Sequence, residues 1–178
     1  MGKIVRGDID FLTQHKVAMQ EDRKFRLDGV SFVASQSLAA INASAVLYIL
    51  LRTGGSTVTT MIRPLLLDTD QTVDTQLIEA PTITTAGTAV PLVNANRVSS
   101  ATPLSLLYTG TTGVTGGTTI LNKVYGSGTS TRLGTFHRID EQEFVLKPNT
   151  DYVFKLTNVS ATSVVWANWL LNVIEIVG

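Results

Sequence analysis

The chain has no cysteine in its 178 residues. Disulfides, thiolate metal sites and cysteine nucleophiles are therefore excluded. Charge is scarce as well: Asp, Glu, Lys and Arg make up 16% of residues, 14 of each sign, for a formal net charge of zero. Neutralising a phosphate backbone needs a basic excess, so nucleic acid is not an expected partner. A neutral, sparsely charged surface instead favours association with other proteins. Mean hydropathy is +0.22, yet no apolar run approaches the roughly 18 residues a spanning helix needs. Ala45–Leu51 ends at Arg52, and no membrane partner is expected. The first ten residues, MGKIVRGDID, lack the unbroken apolar core of a secretory signal.

Histidine is also rare. His15 and His137 are the only two, and a His137, Asp140 and serine arrangement has no nucleophile elbow around it. Glu141 and Glu143 share a strand face, but acid–base work would require one of them in an apolar cleft. The Asp68-to-Asp74 segment offers oxygen ligands without the glycine and distal glutamate of a calcium loop. The Gly-rich segments match neither a Walker loop nor a dinucleotide fingerprint. Asn42-Ala43-Ser44 and Asn158-Val159-Ser160 fit the glycosylation sequon. Trp166, Trp169, Tyr48, Tyr108, Tyr125 and Tyr152 are read as core or interface aromatics rather than a sugar-stacking platform. No catalytic set, metal site or cofactor site emerges, and the chain is not expected to be an enzyme.

What the sequence does have is period-two alternation. Val46–Thr53 places Leu47, Ile49 and Leu51 on one face, and Gly54-Gly55 then signals a hairpin returning through Thr57–Arg63. Pro64 implies an edge position, a bend or a restart at Leu65–Leu67. Thr72–Glu79, Leu104–Tyr108 and Thr118–Tyr125 read as further strands. Lys24–Val33 reads as the first strand and Ser35–Ala43 as a helical turn or bend. Thr109–Gly117 and Gly126–Thr131 read as flexible Gly/Thr loops. Around Pro148-Asn149, two strands flank a turn; Tyr152, Phe154 and Leu156 face one way, Val153, Lys155 and Thr157 the other. The final stretch, Ser163–Val177, is apolar on both faces. It belongs mid-sheet or against a neighbouring subunit, with Trp166, Trp169, Leu171 and Val173 as the candidate subunit interface of a homotrimer or homodimer. The expected fold is all-β: an antiparallel sandwich of about eight strands over residues 23–178. Residues 1–22 precede it as a frayed terminus or as an arm whose Ile4, Val5, Phe11, Leu12, Val17 and Met19 order on a partner.

Several blocks occur in an order that resembles a group of small virion proteins of tailed bacteriophages. They are Leu47-Tyr48-Ile49-Leu50-Leu51-Arg52-Thr53-Gly54, Ala80-Pro81-Thr82 leading to Gly87-Thr88, and Asn94-Ala95-Asn96-Arg97-Val98-Ser99-Ser100. They continue with Leu146-Lys147-Pro148-Asn149-Thr150-Asp151-Tyr152, Leu156-Thr157-Asn158-Val159-Ser160 and a Trp-containing last strand. The similarity spans roughly residues 24–178; it departs at the end of the last strand, which is more apolar here. The resemblance implies a jelly-roll-like sandwich on the virion exterior, acting as a capsid decoration or cement protein whose partners are the major capsid protein and itself. The alternative it leaves is a tail fibre, spike or other tail-associated module, with Gly/Thr loops or aromatic residues binding host surface glycans.

Overall fold

The computed structural model describes residues 23–38, 41–69, 71–125, 143–161 and 167–178. A short helical turn, residues 23–27, precedes the first strand. Eleven strands follow: β1 Ser31–Leu38, β2 Val46–Arg52, β3 Val58–Thr69, β4 Val73–Glu79, β5 Thr88–Val90, β6 Val93–Asn94, β7 Leu106–Thr109, β8 Thr118–Tyr125, β9 Phe144–Leu146, β10 Asp151–Asn158 and β11 Ala167–Val177. They form two antiparallel sheets, ordered β6-β1-β11-β3-β9 and β5-β7-β2-β10-β4-β8. The all-β sandwich expected from the alternation is the observed architecture.

One core joins the two sheets. Phe32, Ile62, Trp169, Leu171 and Val173 of the first sheet meet Ile49, Leu51, Leu77, Phe154 and Leu156 of the second. The two faces read for β2, β4 and β10 are the faces observed. Burying each large apolar side chain contributes about 1.5–3 kcal/mol, so a cluster of this size outweighs any single polar tie. Strand β11 lies between β1 and β3; its Trp169, Leu171 and Val173 fill the core, while Leu170 and Ile176 on its other face are partly exposed.

Four local readings are corrected. The first strand begins at Ser31, not Lys24, because Asp28 N–H and Val30 N–H bond back to Lys24 O and Phe25 O and close a helical turn. Ser35–Leu38 continues that strand instead of bending. Gly54-Gly55 is not a hairpin: β2 and β3 lie in different sheets, so the turn is an arch over the core. Thr109–Gly117 is tied in place. Thr82 and Thr115 exchange backbone hydrogen bonds, as do Thr85 and Thr112. Gly126–Thr131 lies outside the described residues.

Pro64 sits where β3 can spare it. Leu170 pairs with Leu66 and Asn172 with Arg63, so β3 carries an extra residue there. Strand β9 pairs only with Thr60–Ile62, and the bulge accommodates a residue that cannot donate to the ladder. The β8 edge of the second sheet is similarly irregular among the described residues. Strand β8 has an extra residue at Ile120 opposite Leu77/Ile78, and Lys123 is registered with inward-facing Thr75. A bulge and an inward charge both discourage edge-to-edge pairing.

The segments 80–87 and 110–117 form a paired ribbon that links the β4–β8 side of the second sheet to its β5–β7 side. One end joins β4 and β8 at Glu79–Thr118, level with Leu51; the other joins β7 and β5 at Thr109–Thr88, level with Ile49. Both ends fall within the sheet, and the inner face is filled by the core. Leu50, Val153 and Ile78, which point away from that core, are 0%, 0% and 8% exposed. Gly117 rests against Ile78, where an added Cβ would stand 2.7 Å from Cγ2. Glycine at φ +84° is what lets the ribbon lie this close.

Candidate interaction surface

The arches and turns at the Gly54 end of the sandwich build the best-defined surface. Thr53 Oγ1 lies 2.7 Å from Lys147 O and accepts the Thr150 N–H at 2.9 Å. Asn149 N–H donates to Gly54 O at 2.8 Å. Asn149 has φ +49°, the left-handed conformation that Asn tolerates. The inter-sheet arch and the Pro-Asn turn are thereby locked together.

An ionic group flanks this junction. Lys147 Nζ stands 2.6 Å from Glu79 Oε1, and Tyr152 Oη donates to Glu79 Oε2 at 3.0 Å while accepting the Lys147 N–H at 2.9 Å. The Lys147 hydrogen bond, and then that of Tyr152, hold the Glu79 carboxyl below its ordinary value. Burial pushes the Tyr152 phenol up, and the Glu79 charge adds to that shift. Arg52 grips Asp151 with two bonds of 2.7 and 2.9 Å, which raises the guanidinium further. Every one of these groups is paired to a neighbour, as in a structural clamp.

The loop of residues 95–105 is organised by asparagines and one buried acid. Asn94 Nδ2 donates to Gly29 O and Ala101 O, and Asn96 Nδ2 donates to Leu27 O at 2.9 Å. Their Oδ1 atoms accept the N–H groups of Asn96 and Val98 in Asx turns. Glu175, 3% exposed, accepts Leu104 N–H at 2.7 Å and Ser105 N–H at 2.6 Å. These bonds hold the first helical turn, the loop and the end of β11 as one surface. Leu27, Val98, Leu104 and Val177 are exposed in these segments, while Leu106 faces out of the second sheet and Ile176 out of the first. Val98 is 95% exposed.

The residues singled out from the sequence fall differently. Trp169, Leu171 and Val173 do not form a subunit surface. All three are buried in their own chain's core, and the Trp169 Nε1–H has no hydrogen-bond partner there. Their apolar character reflects the central position of β11. Trp166 and the arm residues Ile4, Val5, Phe11, Leu12, Val17 and Met19 lie outside the described residues, as do His15, His137, Asp140 and Glu141. Glu143 pairs with Arg63 at 2.7 Å. Asn158 is fully buried and donates to Ile41 O and Asn42 O, so its sequon is closed to a glycan, whereas Asn42 is exposed. Among the described residues no group of three His, Asp or Glu could hold a metal ion. No described helix is long and apolar enough to cross a membrane.

Sequence reasoning missed Glu175 and the exposed end it anchors. The available signal was a lone carboxylate inside an apolar strand, which calls for a buried partner. No protein-family model, curated protein or solved structure matches the chain.

Proposed function

We propose that this chain is a virion structural protein of a tailed bacteriophage, decorating the capsid and cementing its major capsid protein subunits. The observation that carries this reading is the nesting of the strands. With β5, β6 and β7 set aside as an insertion between β4 and β8, the remaining eight order as β1-β11-β3-β9 and β2-β10-β4-β8. That order supports reading the sandwich as a rolled-up antiparallel hairpin, a jelly roll, a fold shared by viral capsid domains and implied by the sequence resemblance. The apolar end of the sandwich, with residues 1–22 leading into it, supplies a surface for a protein neighbour. The paired state of the charged groups described above favours a mechanical role.

The mechanism is one of linkage. A protein that binds only the assembled, expanded lattice stabilises that state by the free energy of binding. Copies seated across subunit seams would oppose further shell expansion under internal pressure, with self-association as a trimer or dimer matching the local symmetry of the shell. The test is addition of the purified full chain to capsids that lack it. Saturable binding at hundreds of copies per particle, with a raised temperature of capsid disruption, is expected. A few copies confined to the tail would replace this reading with a tail-associated module. Deleting residues 1–22 should leave the sandwich folded and weaken attachment.

A further inference from the structure

Each of the five strands of the first sheet places an apolar residue on the face turned away from the core. Val93 of β6 is registered with Val33 of β1, and Val145 of β9 with Met61 of β3. Between these two pairs runs β11. Its Trp169, Leu171 and Val173 fill the core, so Leu170, Asn172, Ile174 and Ile176 lie on the outward face. Ile174, in register with Ser31 and Met61, is buried there. Around it Val93, Leu170, Val145 and Ile176 are exposed, and Val33 and Met61 are half-buried. Arg63, in register with Asn172, is paired with Glu143, and Asp68 is in register with Asn168 toward the far end of the face.

The outward face of the second sheet is built differently. Its register sets Tyr48, Lys155, Gln76 and Asn122 in one row and separates Val46 from Val124 by Thr157 and Asp74. Leu106 there stands beside Arg52. The first sheet is therefore the one whose exposed apolar residues adjoin one another across strands. Its size suits a second copy of the chain. Strand β11 has 11 residues and β3 has 12, so the face is about 35 Å long, and five strands make it about 20 Å wide at its middle. Its plan area is thus roughly 600 Å² before side-chain relief is counted, close to the ~800 Å² that each partner contributes to a stable interface. Charge does not oppose the match, because the net charge of the chain is zero and the Arg63–Glu143 pair is neutral.

We propose that two copies of this chain pack their first sheets face to face about a twofold axis, with Leu170 and Ile176 of the central strand inside the contact. Sheets stack about 10 Å apart with their strands about 30° from parallel, and a twofold contact presents the same apolar residues from both sides. Such a contact closes at two copies. The inference rests on the self-association within the proposed function and not on the capsid. It is tested on pure protein, so its failure leaves capsid binding to its own assay.

The test is sedimentation equilibrium of the full chain from low micromolar to about 100 μM. A reversible dimer is expected. Leu170→Lys and Val145→Lys should each weaken it at least about tenfold, since either buries a charge without a partner, whereas Leu106→Lys and Val124→Lys on the second sheet should leave it within about twofold. An unchanged circular dichroism spectrum shows that each variant is folded. Methyl NMR of the unsubstituted chain on dilution gives a reading that needs no variant. The methyls of Val33, Val145, Leu170 and Ile176 should shift with concentration, and those of Val46, Leu106 and Val124 should not. A single 19.1 kDa species throughout overturns the proposal, as does a trimer, which a twofold face-to-face contact does not close. Equal weakening by the second-sheet variants, or dilution shifts confined to the second sheet, overturns it too. A chain that stays monomeric, yet loses capsid binding on Leu170→Lys, would make a different protein the occupant and likewise overturn it.

Discussion

Replacing Glu175 by Gln should destabilise the fold out of proportion to the change in shape. The carboxylate is buried, and its two oxygens accept the backbone N–H groups of Leu104 and Ser105. The amide keeps one acceptor. Its NH2 must face the other backbone N–H, leaving two donors opposed. A hydrogen bond to a charged acceptor contributes about 1.5–3 kcal/mol, and an orphaned buried donor costs about 1–3 kcal/mol. A loss of about 3 kcal/mol is therefore expected for Glu175→Gln. Glu175→Ala orphans both donors and leaves a void, for about 4–5 kcal/mol. In a domain of this size, 3 kcal/mol lowers Tm by about 6–12 °C. Urea unfolding measures the stability, and hydrogen exchange at Leu104 and Ser105 localises it. Both amides should lose protection in Glu175→Gln. Stability within about 0.5 kcal/mol of the parent, with those two amides equally protected, would refute the argument that this carboxylate holds the loop.

Gly117→Ala should cost about 2–4 kcal/mol, since φ is +84° and the new Cβ would press on Ile78 Cγ2 and Glu79 O; thermal unfolding within 2 °C of the parent would contradict it, by the scaling of Tm with stability. Leu50→Ala should lose about 2–5 kcal/mol, as a core leucine does, because Leu50 is fully buried although it points away from the core between the sheets; a loss below about 1 kcal/mol would mean the outer row is open to water. The Glu79 carboxyl is depressed in the folded state. It therefore stabilises the fold above the unfolded value of about 4.3 and ceases to do so as pH falls through the folded value. Glu79→Gln should flatten the fall in urea midpoint between neutral and acid pH, modestly because Lys147 is largely exposed; an unaltered pH profile would remove Glu79 from the clamp.

The sequence by itself determined the class of fold and the faces of its strands. A period of two needs only neighbouring residues, so Ile49 and Leu51, Val73 and Leu77, or Tyr152, Phe154 and Leu156 declare their inward side without knowledge of what they meet. Asn149 at its turn was equally legible, because the left-handed backbone there is a local demand. Partnership between strands was not. Gly54-Gly55 can close a hairpin or arch over a core, and alternation is the same in both; only the packing of two sheets sends β3 away from β2. Leu50 and Val153 looked like the outward half of ordinary strands, yet both are fully buried, a tertiary outcome that alternation does not encode. Trp169, Leu171 and Val173 looked sticky enough for a neighbour, yet a central strand consumes that surface within its own chain. The exposed end at Val98, Leu104 and Val177 was invisible for the opposite reason. Its members come from separate segments, and they meet because Glu175 and Asn96 tie distant backbone together, a long-range fact that no local pattern encodes.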